Sequence, residues 1–391
     1  MIRSAISYAR CFALCLGDED ERRLLFANFS RQVVGAHPDR RAALRASVLW
    51  LMRSQDNGSD DGMGSYHLVD GWGASYPETT GYIIPTLIAA GEHLEWHEPN
   101  DRAIRAAEWL LTIQRPDGGW QGGRIGEDRP SIVFNTAQVL RGLLAAHALS
   151  KREEFLHAAV RGAGWITSVQ GTDGAWRMHN FLGAARVYDA YVDAPLLMIH
   201  AITGDELYKR AAQRNLAWVL TQQFANGWFA NCDNTIVHND RPITHTIAYT
   251  IDGLLQCGIQ LKEEPLIASA RRAADKLLER FIRKAGLNGR YDDDWNGSEH
   301  PIMTGSAQMA ICWARLSKIT GEVRYAEASQ RMVEQLVAVQ QKSGAGPVEA
   351  HGALPGSYPL WGRYEKFAFP NWATKYFADA LLCVEGRLPE F

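Results

Sequence analysis

Leu110-Leu-Thr-Ile-Gln-Arg-Pro-Asp-Gly-Gly-Trp120, followed by Ser131-Ile-Val-Phe-Asn-Thr-Ala-Gln-Val-Leu-Arg-Gly-Leu-Leu144, decides the fold of this chain. An apolar helix ends at a Gln. A tight Asp-Gly-Gly turn and a Trp follow, then a short loop and a second apolar helix. Gly118 and Gly119 supply the left-handed conformations that end a helix and reverse the chain.

Working outward, six such units appear. Their first helices are expected at Ala43–Gln55, Ala103–Gln114, Trp165–Gln170, Trp218–Gln223, Ala273–Ile282 and Arg331–Gln341. Their second helices open near Tyr76, Ser131, Tyr188, Thr244, Met303 and Pro370. The period is roughly 50–60 residues, the length of two helices and their loops. First helices are amphipathic, as in Arg271-Arg-Ala-Ala-Asp-Lys-Leu-Leu-Glu-Arg280, and belong outside. Second helices carry almost no charge and should be buried on most sides. The expected fold is all-α, an (α/α)6 toroid, with an open helical solenoid as the structural rival. No Val/Ile/Thr alternation of useful length argues for a sheet. Residues 1–40 read as a helical lead-in or cap, and 41–391 as the barrel.

Composition narrows the function. The chain has 391 residues and a net charge of -3, which gives no electrostatic case for nucleic acid. No apolar run is long enough to span a bilayer. The patch Phe12–Leu16 is too short for a signal-peptide core and lacks a small-residue cleavage site. The six cysteines are scattered and read as reduced and buried, so a cytoplasmic location is expected. The 13 Trp residues often follow turn glycines, where they serve either as aromatic walls for a ligand or as packing anchors.

The Gln-ended helices followed by Asp-Gly-Gly-Trp or Asn-Gly-Trp resemble the repeats of the squalene–hopene cyclase and protein prenyltransferase β-subunit superfamily. The resemblance covers about 330–350 residues and speaks to fold, not to activity. Tyr76-Pro-Glu-Thr-Thr-Gly-Tyr82, Thr244-His-Thr-Ile-Ala-Tyr249 and Pro370-Asn-Trp-Ala-Thr-Lys375 resemble a bacterial group associated with surface-polysaccharide genes. Six-hairpin glycosidases, uronate lyases and sugar epimerases share the architecture.

In such a barrel the loops entering the inner helices gather at one mouth, where helix N-termini favour anionic groups. Tyr76, Glu78 and Tyr82 place a carboxylate between two phenols, or give a helix a favourable first-turn acid. Tyr188, Asp189, Tyr191 and Asp193 open another inner helix. Asp189 reads as an N-cap, whereas Asp193 inside an apolar run needs a partner or a polar cavity. His245, Tyr249 and Asp252 share one helix face, with Arg241 and Thr244 just ahead. His245 supplies a pKa near neutrality, as an acid or base requires.

Tyr291-Asp-Asp-Asp-Trp295 is followed by Glu299 and His300. Asp293, Asp294 and Trp295 read as binding sugar hydroxyls; Asp292–Asp294 holding a cation, or a solvated loop, are alternatives. The run resembles the Asp-rich motif of class II terpene cyclases only superficially, for it lacks that motif's spacer and Thr. The last long loop gathers Trp361, Arg363, Tyr364 and Glu365 ahead of Asn371, Trp372 and Lys375, as a lid or wall over the mouth. Cys232, Asp233 and His238 lack zinc-ligand spacing, and no phosphate-binding Gly loop is present, so neither metal nor cofactor is expected.

Asn135, Gln138, Asp193, His245, Asp252, Gln308, Asn371 and Lys375 make the expected cavity polar, and Tyr and Trp give it platforms. That suits a sugar ring better than a carbocation. Arg241, Arg363 and Lys375 suit a uronate carboxylate. The expected activity is on a bacterial surface glycan or its precursor. Proton abstraction by His245 or Tyr249 would give a lyase or epimerase. Glu78 or Asp193 paired with Asp293 or Glu365 would give hydrolysis. A terpene cyclase and a non-catalytic glycan binder are the alternatives.

Overall fold

In the computed structural model, residues 2–30, 39–341, 344 and 346–387 are described. Among them lie fourteen α-helices and five two-residue strands. Two N-terminal helices come first, α1 (Ile2–Gly17) and α2 (Glu19–Ser30). The outer helices are α3 (Arg40–Asp56), α5 (Glu98–Thr112), α7 (Glu153–Ser168), α9 (Glu206–Thr221), α11 (Glu264–Lys284) and α13 (Val323–Val339). The inner helices are α4 (Pro77–Leu94), α6 (Val133–Ser150), α8 (Ala190–Thr203), α10 (Thr244–Leu261), α12 (Met303–Thr320) and α14 (Asn371–Val384). Each inner helix packs on the next, and α14 packs back on α4. The ring is closed: the fold is an (α/α)6 toroid, not an open spiral.

Burial follows the sequence pattern. In α11 the buried residues Leu266, Ala270, Ala273, Ala274, Leu277 and Phe281 recur at helical spacing along one face. In α10 every residue from Thr244 to Gly258 is buried, because neighbours cover it all round.

The repeated Gln is a strap. Gln114 Nε2 donates to Gly118 O and to Ala158 O on the next outer helix, both at 2.9 Å. Gln170 does the same to Gly174 O and Ala211 O, and Gln223 to Gly227 O and Ser269 O. Gln340 closes the ring by donating to Ala43 O of α3 at 3.0 Å. Each such bond contributes about 1 kcal/mol and satisfies a carbonyl that the turn leaves open. The turn glycine is obligatory: Gly118 has φ +93°, and a Cβ there would stand 2.8 Å from Arg161 O.

The tryptophans after the turns are packing anchors. Trp120 and Trp176 are fully buried and donate to Leu110 O at 2.8 Å and Ile166 O at 2.9 Å. Trp295 is the fifth unit's equivalent. It is buried, donates to Asn226 O at 3.2 Å, and its carbonyl accepts from Arg280 of α11 at 2.9 Å. Its expected role as a sugar platform therefore does not hold. Asp293 and Asp294 are exposed in the same outer turn, with Asp292 accepting from the Asp294 and Asn296 amides.

The first and last loops meet beside the mouth. Strand β1 (Tyr66–His67) pairs antiparallel with β2 (Gly71–Trp72) and with β5 (Ala368–Phe369); β3 (Arg290–Tyr291) pairs with β4 (Gly297–Ser298). Helices α1 and α2 lie on the final loop. Phe12 packs on Trp361 and Phe367, and Phe29 packs on Trp361. Trp361 is thus covered by the lead-in helices and is not a free platform. Residues 31–38 of the expected lead-in lie outside the described residues.

Candidate active site

The first two turns of the inner helices gather aromatic and polar groups around Tyr249 at one end of the barrel, its bowl. Tyr76, Glu78 and Tyr82 come from α4 and its N-cap, and Phe134 and Asn135 from α6. Tyr188 and Tyr191 come from the start of α8, His245 and Tyr249 from α10. Gln308 comes from α12, and Trp372 and Tyr376 from α14, with Tyr364 from the final loop. Tyr76 Oη accepts from Asn135 Nδ2 at 3.3 Å, and its ring stands edge-on to Trp372. Trp372 Nε1 donates to Tyr364 Oη at 3.0 Å. Tyr249 is the hub of the floor: its ring centroid lies 4.5 Å from His245, 4.8 Å from Tyr191, 5.1 Å from Phe134 and 5.8 Å from Tyr376.

Burial shifts two titratable groups of this bowl in opposite directions. Glu78 is half-buried. Burial pushes its carboxyl up to about 7, against the Tyr76 hydroxyl, which favours the charged form. Burial raises Tyr82, Tyr188, Tyr249 and Tyr364 above the usual phenol range, and the Glu78 charge adds a smaller push in the same direction. His245 is buried, and desolvation holds its imidazole down at about 4 against the favourable bond to Gln308. At neutral pH it is therefore an uncharged base. Its Nδ1 lies 2.7 Å from Gln308 Oε1. With that oxygen as acceptor, Nδ1 carries the proton and Nε2 keeps the free lone pair, an assignment that follows from the amide orientation.

Beneath the aromatic floor runs a belt of paired charges. Lys375 Nζ sits 2.6 Å from Asp379 Oδ2 and 4.0 Å from the Tyr376 ring centroid. Arg315 pairs with Asp252 at 2.8 Å, and Gln256 Nε2 donates to Asp252 at 2.7 Å. Arg141 donates to Gln138, Gln256 and the Tyr191 carbonyl, and stacks over the Tyr191 ring at 4.0 Å. Gln138, Asp252 and Lys375, expected to touch substrate, instead support the floor from below.

Other expectations are corrected by placement. Asp193 faces away from the bowl: its carboxylate accepts from Asn215 of outer helix α9 at 2.7 Å, and burial raises its pKa strongly. Asn371 donates to Met63 O at 3.0 Å and Thr79 Oγ1 at 2.9 Å, and so fixes the first loop to α14. Arg241 and Arg363 are exposed at the rim, where with Ser298, Glu299 and His300 they border a hollow of about 530 Å3. Glu365 follows Tyr364 on the final loop and is exposed to solvent. Tyr376, Phe134, Arg141 and Arg315 have no counterpart among the expected site residues. The two arginines carried a readable signal, since each is a charge inside an apolar helix. All six cysteines are unpaired and buried. Among the described residues no group of three or more His, Cys, Asp or Glu is placed to hold a metal ion, and no helix is long and apolar enough to cross a membrane.

No family model matches this chain. A probable squalene–hopene cyclase of Sinorhizobium fredii is 31% identical over 166 residues, 40% of this chain and 23% of that protein. A terpene cyclase–glycosyl transferase fusion protein of Humicola fuscoatra is 24% identical over 349 residues, 78% of this chain and 24% of that protein. The chain thus spans about a quarter of the length of these curated relatives. Among solved structures it is similar to an unsaturated glucuronyl hydrolase specific for heparin, with a TM-score of 0.70 at 14% identity over 89% of this chain and 97% of that one. Cellobiose 2-epimerase of Bacillus thermoamylovorans gives a TM-score of 0.71 at 13% identity over 89% and 98% of the two chains. These likenesses place the chain among α/α-toroid proteins and establish its fold.

Proposed function

We propose that the chain is a carbohydrate-active enzyme whose bowl takes a uronic-acid-containing oligo- or polysaccharide, or its precursor, of a bacterial surface glycan. The observation that carries this reading is that an imidazole and a carboxyl gather around one aromatic hub: Tyr249 lies 4.5 Å from His245 and within the field of Glu78. His245 is a neutral base at physiological pH, and Glu78 is a carboxyl of which about half is protonated near pH 7. Tyr76, Tyr249, Tyr364 and Trp372 offer rings for the C–H face of a sugar and hydroxyls for its polar edge. Arg241 and Arg363 stand at the rim for the carboxylate of an adjoining uronate.

The chemistry follows from these groups. His245 Nε2 removes the proton beside the uronate carboxylate. In elimination, the freed electron pair forms a C=C bond and the glycosidic C–O bond breaks, with the leaving oxygen taking the Glu78 proton. In epimerisation, Glu78 returns a proton to the opposite face of the same carbon. Tyr249 adds a hydroxyl donor beside His245. Hydrolysis would require a second carboxylate opposite Glu78, and Glu365 is the acid placed nearest that role by its position beside Tyr364. The six unpaired cysteines support action in a reducing, cytoplasmic compartment.

The cyclase relatives and the aromatic lining favour one second reading, a prenyl-binding cyclase. Incubation of the full chain with a panel of uronate oligosaccharides, followed by product mass spectrometry, tests the first reading. We expect turnover that falls about 10²–10⁴-fold in Glu78→Gln and survives in Asp193→Asn. An unchanged panel, together with a cyclised product from a prenyl diphosphate, would overturn it.

A further inference from the structure

At the end of the barrel opposite the bowl, the C-terminal halves of four inner helices surround a second hollow, of about 900 Å3. Its walls are aliphatic: Ile88 of α4, Leu144 of α6, Leu197 and Met198 of α8, and Leu261 of α10. No Phe, Tyr or Trp lines it, whereas the bowl is built of Tyr and Trp. The apolar surface continues outward, with Leu149 and Ile202 each more than 40% exposed at its edge. The volume lies within the range of small-molecule sites.

The lining selects the ligand. Flat rings gain most from stacking on Phe, Tyr and Trp faces, and none of these lines the hollow. Leu, Ile and Met side chains conform instead to a flexible hydrocarbon. The rim adds charge complementarity. His93, His200, Lys209 and Arg387 border it with one acid, Glu92. Arg387 lies 3.5 Å from Glu92, and Lys209 lies 3.9 Å from Glu206. These are loose pairs at the surface that cost little to reopen. We propose that this hollow binds a single flexible aliphatic chain, with an anionic head group at the basic rim. The site is separate from the bowl and does not depend on the sugar reading.

Titration of the full chain with 11-(dansylamino)undecanoic acid, read by dansyl fluorescence, tests this. We expect saturable binding of one probe per chain. Ala148→Trp and Ala201→Trp should each weaken it by about tenfold or more. Both alanines line the hollow yet are solvent-exposed, so a larger side chain fills the site without entering the core. Lys209→Glu should weaken binding too, and Trp372→Ala in the bowl should leave it unchanged. Co-sedimentation with phosphatidylglycerol-containing vesicles that is lost in Ala201→Trp would assign the chain to a membrane lipid. Probe binding without co-sedimentation would assign it to a free amphiphile. The proposal is overturned by an absence of saturable binding, by binding that ignores both Trp variants, or by light scattering that shows a second copy covering this end.

Discussion

His245 and Gln308 meet across two neighbouring inner helices, Nδ1 to Oε1, at 2.7 Å. The contact depends on Gly305, one turn before Gln308 on α12. A Cβ at Gly305 would stand 2.8 Å from the His245 backbone nitrogen, so only glycine lets α12 approach α10 this closely. The amide fixes both the tautomer and the ring plane of His245, and thereby aims Nε2.

In the proposed reaction Gln308, whose side-chain oxygen is taken up by His245, is a positioning residue and not the substrate ligand that the sequence suggests. Gln308→Leu should lower kcat by about 10-fold to 100-fold with KM little changed, since it frees the ring without touching substrate. Gln308→Glu should act differently. A carboxylate beside the imidazole favours its charged form and lifts His245 from about 4 toward neutrality. NMR titration of the imidazole reads this shift; an unmoved titration would contradict the pairing.

Glu78 makes stability depend on pH. Its ordinary value is 4.5, and the folded chain raises it to about 7. The folded state therefore holds the proton more tightly than the unfolded one. The associated stability is fully present below pH 4.5 and is lost as pH rises through 7. The loss is of order 1–3 kcal/mol, discounted for a carboxyl that is only half-buried. Glu78→Gln should therefore gain stability over the parent chain between pH 5 and 8, read as the difference of their urea midpoints. His245, lowered to about 4, works in the opposite sense below pH 6.5 in both proteins and cancels from the comparison.

Asp252 and Arg315 form a buried pair at 2.8 Å beneath the floor. Asp252→Ala leaves the guanidinium buried without its partner and should cost about 3–5 kcal/mol. The double replacement Asp252→Leu with Arg315→Met should recover most of that loss, because apolar groups of similar size need no counter-charge. Urea denaturation of both proteins checks the contrast.

The fold was legible because the second, third and fourth turns repeat one physical solution: Gln bonded to the turn carbonyl, Gly in a left-handed conformation, Trp packed beneath. The bowl was legible where residues open an inner helix, as do Tyr76, Glu78, Asn135, His245, Tyr249 and Trp372. Depth was not legible. Asp252 shares a face with His245, yet seven residues of helix place it about 10 Å lower. Periodicity reports the face of a helix and says nothing of which layer a residue reaches. Asp193 illustrates a second limit. A carboxyl in an apolar helix does need a polar partner, but that partner proved to be Asn215 on the outer ring. Trp295 misled because the anchor of the repeat and a ligand platform share one residue type, and only its bond to Asn226 separates them.

The pH profile of kcat/KM tests the division of labour between His245 and Glu78 most directly, because it reports the essential acid and base of the free enzyme. With His245 as base and Glu78 as acid, the profile is a bell with limbs at about 4 and about 7, and Glu78→Gln removes the upper limb along with most of the rate. A profile that instead rises through pH 7, or an upper limb that persists in Glu78→Gln, would contradict the account.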